Sequence, residues 1–177
     1  MNESTRIQLF CGFYRDCVSF QDIMLSEKEK KEIADVLSHS TTKESASIES
    51  LNIIQCHRGW VPDDALKDVA TMLDMSSHDL DAVATFYSLI FRKPVGKHTI
   101  LICDSVSCWI MGYHPLLDVI KTKLGIGFGE TTPDKQFTLL PVACLGACDR
   151  APAIMIDDDL YGPVTREMMD DILGEYK

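Results

Sequence analysis

The chain has 177 residues and a formal net charge of −10 at pH 7, with 46% hydrophobic and 25% charged residues. These proportions are typical of a soluble globular protein with one sizeable domain or two small ones. The acidic balance argues against nucleic acid and anionic membrane surfaces as partners. No apolar run approaches the roughly 20 residues that a membrane-spanning helix needs.

Residues 1–25 show no helical or strand periodicity, and we predict an irregular N-terminal extension. An acidic residue interrupts the short apolar run in this segment, so the segment does not fit a secretory signal. Cys11 and Cys17 lack a second close pair, and we interpret them as peripheral cysteines without a metal role. Two hypotheses fit the segment: translation begins at Met24, or residues 1–23 form a loose extension.

Residues 26–92 are predicted to form a small helical bundle. Ser26 is followed three residues later by Glu29, a capping box that starts the first helix. Three more short segments follow in which apolar residues recur at helical spacing. In the fourth segment, this spacing predicts that Tyr87 faces inward together with three earlier residues, namely Leu80, Val83 and Ala84.

Residues 93–177 are predicted to form a thioredoxin-like α/β domain, so the whole chain combines α+β and α/β features. Apolar runs predict strands at 99–102 and 137–142 with a helix between them. A third strand at 153–156 is followed by a turn and a short strand. A right-handed strand–helix–strand crossover and an antiparallel hairpin would then share one sheet.

The C-terminal segment is predicted to close this domain with one more helix. Thr165 has the side chain of an N-cap residue. The spacing of the apolar residues after it predicts a buried helix face. The residues on that face are Met168, Met169, Ile172 and Leu173.

Four of the seven cysteines form two close pairs, each shortly after a predicted strand. Cys103 and Cys108 have the spacing C-x4-C, and Cys144 and Cys148 have the spacing C-x3-C. If both strands end at the same edge of one sheet, the four thiolates converge there, as an iron–sulfur cluster requires. Gly146 would let the second loop turn closely, with backbone N–H groups donating to sulfur.

The cysteine spacing leaves other chemistries open. A structural zinc ion accepts the same four ligands, although zinc sites are usually built on C-x2-C. Two disulfides would suit a secreted chain, but the sequence shows no signal peptide, and a redox-active dithiol would need C-x-x-C. The spacing also differs from that of plant-type ferredoxins. The pattern therefore favours iron–sulfur over zinc, and it indicates a reducing, cytosolic compartment.

Residues beside the cysteines would influence a bound cluster. Asp104 and Asp149 would lower its reduction potential electrostatically, and Arg150 would raise it. Asp149 and Arg150 equally suit a solvated loop pair. Trp109 follows Cys108 directly and would either shield the cluster from water or cap the helix that starts there.

Four segments together form a specific pattern: residues 58–62, 82–88, 103–108 and 144–149. With them, the chain resembles the E subunits of bacterial NADH-quinone oxidoreductases, the thioredoxin-like [2Fe–2S] subunits of respiratory complex I. The resemblance runs across residues 26–177. It implies a helical bundle followed by a thioredoxin-like [2Fe–2S] ferredoxin domain.

The resemblance further implies that one [2Fe–2S] cluster is held with two cysteines per iron, by Cys103, Cys108, Cys144 and Cys148. The cluster would exchange electrons with the FMN of the NADH-binding flavoprotein subunit, on a side branch of the electron path to quinone. The helical bundle would dock that flavoprotein and the large iron–sulfur subunit. The chain itself would bind neither NADH, FMN nor quinone, and so would be a redox subunit without catalysis of its own. It would lie in the cytoplasmic, peripheral arm of an inner-membrane complex, with no insertion into the membrane.

Two other functions stay open from the sequence. The same module would serve in the diaphorase part of an NAD-linked hydrogenase or formate dehydrogenase, and neighbouring genes would distinguish that case. A zinc-stabilised, non-redox interaction module belongs to a different class. Colour separates it from the redox interpretation, because a [2Fe–2S] protein is red-brown and a zinc protein is colourless.

Overall fold

A computed structural model of the chain describes residues 24–176. The N-terminal extension, with Cys11 and Cys17, lies outside these residues except for its last two positions. Leu25 is one of those two, and it is buried in a helical core, with its N–H donating to Asp68. The described chain divides into two compact units, and the boundary in the chain falls between Pro94 and Val95.

The first unit is built from four helices, α1 (Glu27–His39), α2 (Ser47–Arg58), α3 (Asp63–Leu73) and α4 (Ser77–Phe86). Their apolar faces form one continuous core, because apolar residues recur at helical spacing on the inward side of each helix. The largest fully buried side chains of this core are Ile33, Leu51, Ile54, Leu73 and Leu80.

Local signals set the ends of these helices. The capping box at α1 is confirmed: the Glu29 N–H donates to the Ser26 hydroxyl at 3.2 Å, and the Ser26 N–H donates to the Glu29 carboxylate at 2.7 Å. Gly59 ends α2 in the left-handed conformation, with φ +79°. The inward position expected for Tyr87 is wrong. Helix α4 ends at Phe86, the backbone of Tyr87 is extended, and its side chain is exposed.

Glu29 has a second role, because it joins α1 to the end of α2. Its two carboxylate oxygens accept from the Arg58 guanidinium at 2.7 and 2.8 Å. Burial opposes ionisation of Glu29, but hydrogen bonds from Arg58 and Ser26 outweigh it and lower the pKa of the carboxyl group. The same guanidinium also donates to the Met24 carbonyl.

The second unit contains a mixed sheet of four strands, β1 (His98–Cys103), β2 (Phe137–Val142), β3 (Ile154–Ile156) and β4 (Asp159–Tyr161). The strand order is β2-β1-β3-β4, with β1 parallel to β2 and the remaining pairs antiparallel. A pair of parallel strands and an antiparallel hairpin are therefore both present in one sheet, as predicted. All six residues of β1 are buried, as expected for a central strand.

Three helices accompany the sheet: α5 (Val106–Met111), α6 (Tyr113–Leu124) and α7 (Met169–Gly174). Gly112, with φ +121°, separates α5 from α6, a backbone angle that side-chain-bearing residues rarely adopt. Helices α6 and α7 pack with the sheet in one core, which includes Ile100, Leu116, Ile120, Leu139, Ile154 and Ile172.

The start of the last helix differs from the prediction. Helix α7 begins at Met169 after an N-cap at Met168, and no side chain caps it, so Thr165 is not its cap. Met168 is exposed rather than buried. Met169, Ile172 and Leu173 are buried as expected. The helix begins later than a cap at Thr165 would place it, and its buried face starts at Met169, one residue later than the spacing indicated.

Candidate metal centre

Both cysteine loops leave the same edge of the sheet. Cys103 is the last residue of β1, and it is in register with Val142, the last residue of the parallel strand β2. The Asp104 N–H donates to the Val142 carbonyl at 2.8 Å, which extends the pairing one residue into the first loop. Cys144 follows two residues after Val142. The prediction that the two strands end at one edge is confirmed.

The first cysteine pair is buried against this edge. Cys103 and Cys108 are 2% and 1% exposed, and Ser105 between them is the N-cap residue of α5. The Cys103 sulfur lies 3.5 Å from the Ser105 hydroxyl oxygen. These two thiols and the backbone around them therefore form a packed, preorganised half of a site.

The two buried thiols have opposite tendencies to ionise. Burial opposes ionisation of Cys103, but hydrogen bonds from the Ser105 side chain and from the Leu145 and Ser105 backbone stabilise the thiolate and lower its pKa. Burial and the neighbouring Cys103 raise the pKa of Cys108. Leu145 packs against the buried cluster that contains Cys103 and Cys108, so the second loop contacts the first cysteine pair.

The second cysteine pair is exposed on a tight loop. Cys144 is followed by a turn at Gly146, which has φ +76° and whose N–H donates to the Cys144 sulfur at 3.3 Å. Cys148 starts a single 3₁₀ turn, Cys148–Arg150. Between them Ala147 is buried and packs with the first cysteine pair. The close turn and the N–H donor to sulfur that the sequence predicted at Gly146 are both present.

The four side chains share one edge without forming a ready ligand shell. Among residues 24–176, no group of three or more His, Cys, Asp or Glu side chains is placed to hold a metal ion. The two loops leave the same sheet edge as expected, but they do not bring three or more of the sulfur atoms together at one point. Packing fixes Cys103 and Cys108, whereas Cys144 and Cys148 are exposed.

The donor set nevertheless fits an iron–sulfur cluster. Four cysteines are the ligands that a [2Fe–2S] cluster takes, and the Gly146 N–H points at the sulfur atom of Cys144. Donors of this kind stabilise thiolates and tune the potential of a bound cluster. The cysteine spacing and the glycine are visible in the sequence, whereas the part played by Ser105 depends on its rotamer, which spacing does not reveal.

Neighbouring residues occupy the surface around the site. Asp104, Asp149 and Arg150 are all exposed, so water screens their charges. Trp109 does not cap a helix, because it lies inside α5, and its indole is 56% exposed. The indole N–H donates to His114 Nε2 at 2.8 Å, a contact that no sequence pattern signals.

Comparison with protein families defines the class of the chain. The family model of the thioredoxin-like [2Fe–2S] ferredoxins matches residues 33–177. The chain therefore belongs to this family, and its cofactor is a [2Fe–2S] cluster. Helices packed with a mixed four-stranded sheet, and four cysteines at one sheet edge, agree with that assignment.

Curated relatives define the particular branch of the family. The chain is 48% identical to the E subunit of NADH-quinone oxidoreductase from Pseudomonas aeruginosa over 153 residues, which cover 86% of this chain and 92% of that one. It is 46% identical to the corresponding protein of Escherichia coli K12 with the same coverage, and 45% identical to that of Buchnera aphidicola from Acyrthosiphon pisum over 89% and 93% of the two chains. The chain is thus a member of the family of E subunits of this oxidoreductase, and the resemblance inferred from the four segments is confirmed.

Solved structures show the same fold in a different enzyme. The chain superimposes on an NAD⁺-reducing [NiFe]-hydrogenase in the H₂-reduced state with a TM-score of 0.64, covering 73% of this chain and 22% of that one at 22% identity. The air-oxidised form gives a TM-score of 0.56 at 23% identity, covering 63% and 19% of the two chains. At this identity the likeness shows a shared fold. No helix in the described part of this chain is long and apolar enough to cross a membrane.

Proposed function

We propose that this chain is the electron-transfer subunit of NADH-quinone oxidoreductase, and that its [2Fe–2S] cluster exchanges electrons with the FMN of the NADH-binding subunit. The observation that carries the proposal is the placement of four cysteines at one sheet edge in a chain 48% identical to a curated E subunit of that oxidoreductase. The chain contributes one-electron transfer to the oxidoreductase and makes no substrate bond itself.

Cys103, Cys108, Cys144 and Cys148 would hold the cluster, two cysteines to each iron. The cluster supplies a one-electron redox centre when bound. The buried pair would fix one side of it and keep water from that side, while the exposed pair would face the surface from which electrons arrive or leave. Gly146 would let its loop stay close and direct an N–H toward sulfur.

The helical unit, residues 26–92, would dock the flavoprotein subunit and the large iron–sulfur subunit, and residues 93–177 would carry the cluster. Phe86 at the end of α4 is 81% exposed, and Tyr87 meets it edge to face at 5.3 Å between ring centroids. Exposed aromatic residues of this kind are typical of protein interfaces. This pair lies within the segment 82–88 that carries part of the family resemblance.

The chain would lie in the cytoplasmic, peripheral arm of the membrane-bound enzyme. Two observations support this location. The described residues contain no candidate membrane-spanning helix, and a net charge of −10 disfavours contact with anionic lipid. The name shared by the curated relatives implies a multi-subunit complex.

Cysteine substitutions test the ligand assignment directly. Cys144→Ala and Cys103→Ser should lose or strongly destabilise the cluster, because each removes one of four thiolate ligands. Cys56→Ala is the matched control, since Cys56 lies in α2 of the helical unit. Far-ultraviolet circular dichroism should show that all three variants keep their secondary structure. A normal [2Fe–2S] electron paramagnetic resonance signal in Cys144→Ala would show that Cys144 is not a ligand.

A further inference from the structure

One hydroxyl group lies beside the sulfur atom of the first cysteine. The Ser105 hydroxyl oxygen is 3.5 Å from the Cys103 sulfur, which is within hydrogen-bonding distance for an atom as large as sulfur. Cys103 is 2% exposed, and Ser105 is half-buried. Because the contact is partly shielded from water, a hydrogen bond here is electrostatically stronger than one in solution.

The Ser105 hydroxyl has no part in capping the helix that begins after it. Serine is a preferred N-cap residue, because its side-chain oxygen usually accepts from a backbone N–H in the first turn. Ser105 occupies the N-cap position of α5 with an extended backbone, yet its side chain makes no capping hydrogen bond. Its carbonyl accepts from the Trp109 N–H at 2.8 Å, so the helix starts without help from the hydroxyl. The hydroxyl therefore serves the neighbouring sulfur instead.

Ligation of iron decides which of the two atoms donates. In the free thiol, the Cys103 S–H donates to the Ser105 hydroxyl oxygen. A cysteine that ligates iron is a thiolate, so its sulfur has no hydrogen left to donate and can only accept. The serine hydroxyl carries one hydrogen and rotates freely about its C–O bond, so it becomes the donor without any movement of the backbone.

Backbone hydrogen bonds on both sides hold this pair in place. The Cys103 N–H donates to the Ala153 carbonyl at 3.1 Å, and the Asp104 N–H donates to the Val142 carbonyl at 2.8 Å. Ser105 follows directly as the N-cap residue of the helix that contains Cys108. The sheet edge and the helix start therefore fix the positions of the hydroxyl and of the sulfur.

We propose that Ser105 raises the reduction potential of the [2Fe–2S] cluster by donating a hydrogen bond to the Cys103 sulfur. The inference rests on the proposed function, in which Cys103 is a ligand and the electron is exchanged with FMN. Reduction adds one electron to one of the two irons, breaks no bond and moves no proton, so the ligand sulfur atoms become more negative. The positive end of the hydroxyl dipole stabilises this added charge, and hydrogen bonds to sulfur are among the factors that set cluster potentials.

The charged residues around the site are less well placed to tune the potential. Asp104, Asp149 and Arg150 are all exposed, so water and salt screen their charges. Ser105 instead touches a ligand sulfur that is almost completely buried. Its donor belongs to a side chain, unlike the Gly146 N–H at the Cys144 sulfur, so a substitution removes it and leaves the backbone of the loop unchanged.

A redox titration of the purified, cluster-containing chain, followed by paramagnetic resonance, tests the proposal. Ser105→Ala should lower the equilibrium constant for one-electron reduction about ten-fold, which lowers the midpoint potential by about 59 mV. Ser107→Ala is the matched control and should leave that constant unchanged, because Ser107 is also half-buried but, within residues 24–176, makes no hydrogen bond to a cysteine sulfur. Ser105→Thr keeps the hydroxyl and should keep the wild-type potential. Ser105→Val has the shape of threonine without the hydroxyl, and its potential should match that of Ser105→Ala.

The outcomes separate this inference from the proposed function. A wild-type potential in Ser105→Ala, with the cluster intact, would overturn the inference and leave the electron-transfer function standing. Equal shifts in Ser105→Ala and Ser107→Ala would also overturn it, because local packing rather than the hydroxyl would then set the potential. If Ser105→Ala does not retain its cluster, Ser105→Thr and Ser105→Val decide, and equal potentials in these two variants would refute the role of the hydroxyl. A wild-type chain that holds no iron–sulfur cluster would overturn the proposed function and this inference together.

Discussion

The buried ion pair between Glu29 and Arg58 leads to the most detailed prediction for the helical unit. Glu29 receives one hydrogen bond from the Ser26 backbone and two from the Arg58 guanidinium, all between 2.7 and 2.8 Å. The side chains of Glu29 and Arg58 are only 3% and 15% exposed. Glu29→Gln keeps the shape of the side chain but removes its charge, which breaks the ion pair with Arg58.

We expect Glu29→Gln to lower the free energy of unfolding by about 3 kcal/mol at pH 7. Breaking a buried pair by removing one partner typically lowers stability by about 3–5 kcal/mol, and the slight exposure of Arg58 places this case at the lower end. Glu27→Gln is the matched control, because Glu27 lies in the first turn of the same helix α1 and is 92% exposed in its pair with Lys30. That substitution should change stability by less than about 0.5 kcal/mol.

The effect should also depend on pH. The folded-state pKa of Glu29 is lowered: burial opposes the charge, and the hydrogen bonds from Arg58 and Ser26 outweigh burial. The stabilisation is therefore complete above the unfolded-state pKa, about 4.3, and is lost as pH falls through the lower folded-state pKa. The difference between wild type and Glu29→Gln should shrink at low pH accordingly.

Urea unfolding followed by Trp60 fluorescence measures these differences in the helical unit. All proteins compared carry Trp109→Phe in addition, so that Trp60 is the one tryptophan whose fluorescence is followed. The unfolding free energies of wild type, Glu29→Gln and Glu27→Gln would be compared across the acid range. An equal loss in Glu29→Gln and Glu27→Gln, or a loss in Glu29→Gln that does not decrease toward low pH, would refute the reasoning.

Three further predictions concern the cluster unit. Gly146→Ala should shorten the lifetime of the cluster in the presence of a chelator roughly five-fold, because the left-handed backbone at Gly146 disfavours a side chain by about 1 kcal/mol. Gly125 is also left-handed but is distant in sequence from the cysteines, so Gly125→Ala should leave the cluster lifetime unchanged. Gly162→Ala should lower stability by about 2 kcal/mol in urea unfolding and release the cluster faster, because the added carbon collides with the Arg150 carbonyl in the cysteine loop. Asp157→Asn should lower stability by about 1–2 kcal/mol in the same assay, because this carboxylate contacts three polar groups on the first two residues of β1.

Much of the cluster unit could be predicted because its signals are local. Each of the two parallel strands is an apolar run that ends at or just before a cysteine, so the strand pattern alone placed Cys103 and Cys144 at one edge. The capping box at Ser26 and the turn at Gly146 are likewise determined within a few residues. Such features depend on backbone chemistry that the sequence displays directly.

Other features depend on contacts between distant residues or on where a helix ends. The pairing of Glu29 with Arg58 joins residues 29 positions apart, and no periodicity signals it. Tyr87 fits the helical spacing of α4, but the helix stops one residue earlier and leaves it exposed. Helix α5 ends at Gly112 after only six residues, and its Trp109 and Ile110 are exposed. The exposed face beside the cysteines therefore became visible only in the structure.

One measurement tests the central claim most directly: metal and sulfide analysis of the purified chain under anaerobic conditions, with absorbance and paramagnetic resonance spectra before and after dithionite. The account predicts two irons and two labile sulfides per chain, a red-brown colour, and a rhombic signal that appears on reduction. One zinc ion per chain and no visible absorbance, in protein from cells with intact cluster assembly, would contradict it. The four cysteines would then hold a structural metal and transfer no electrons.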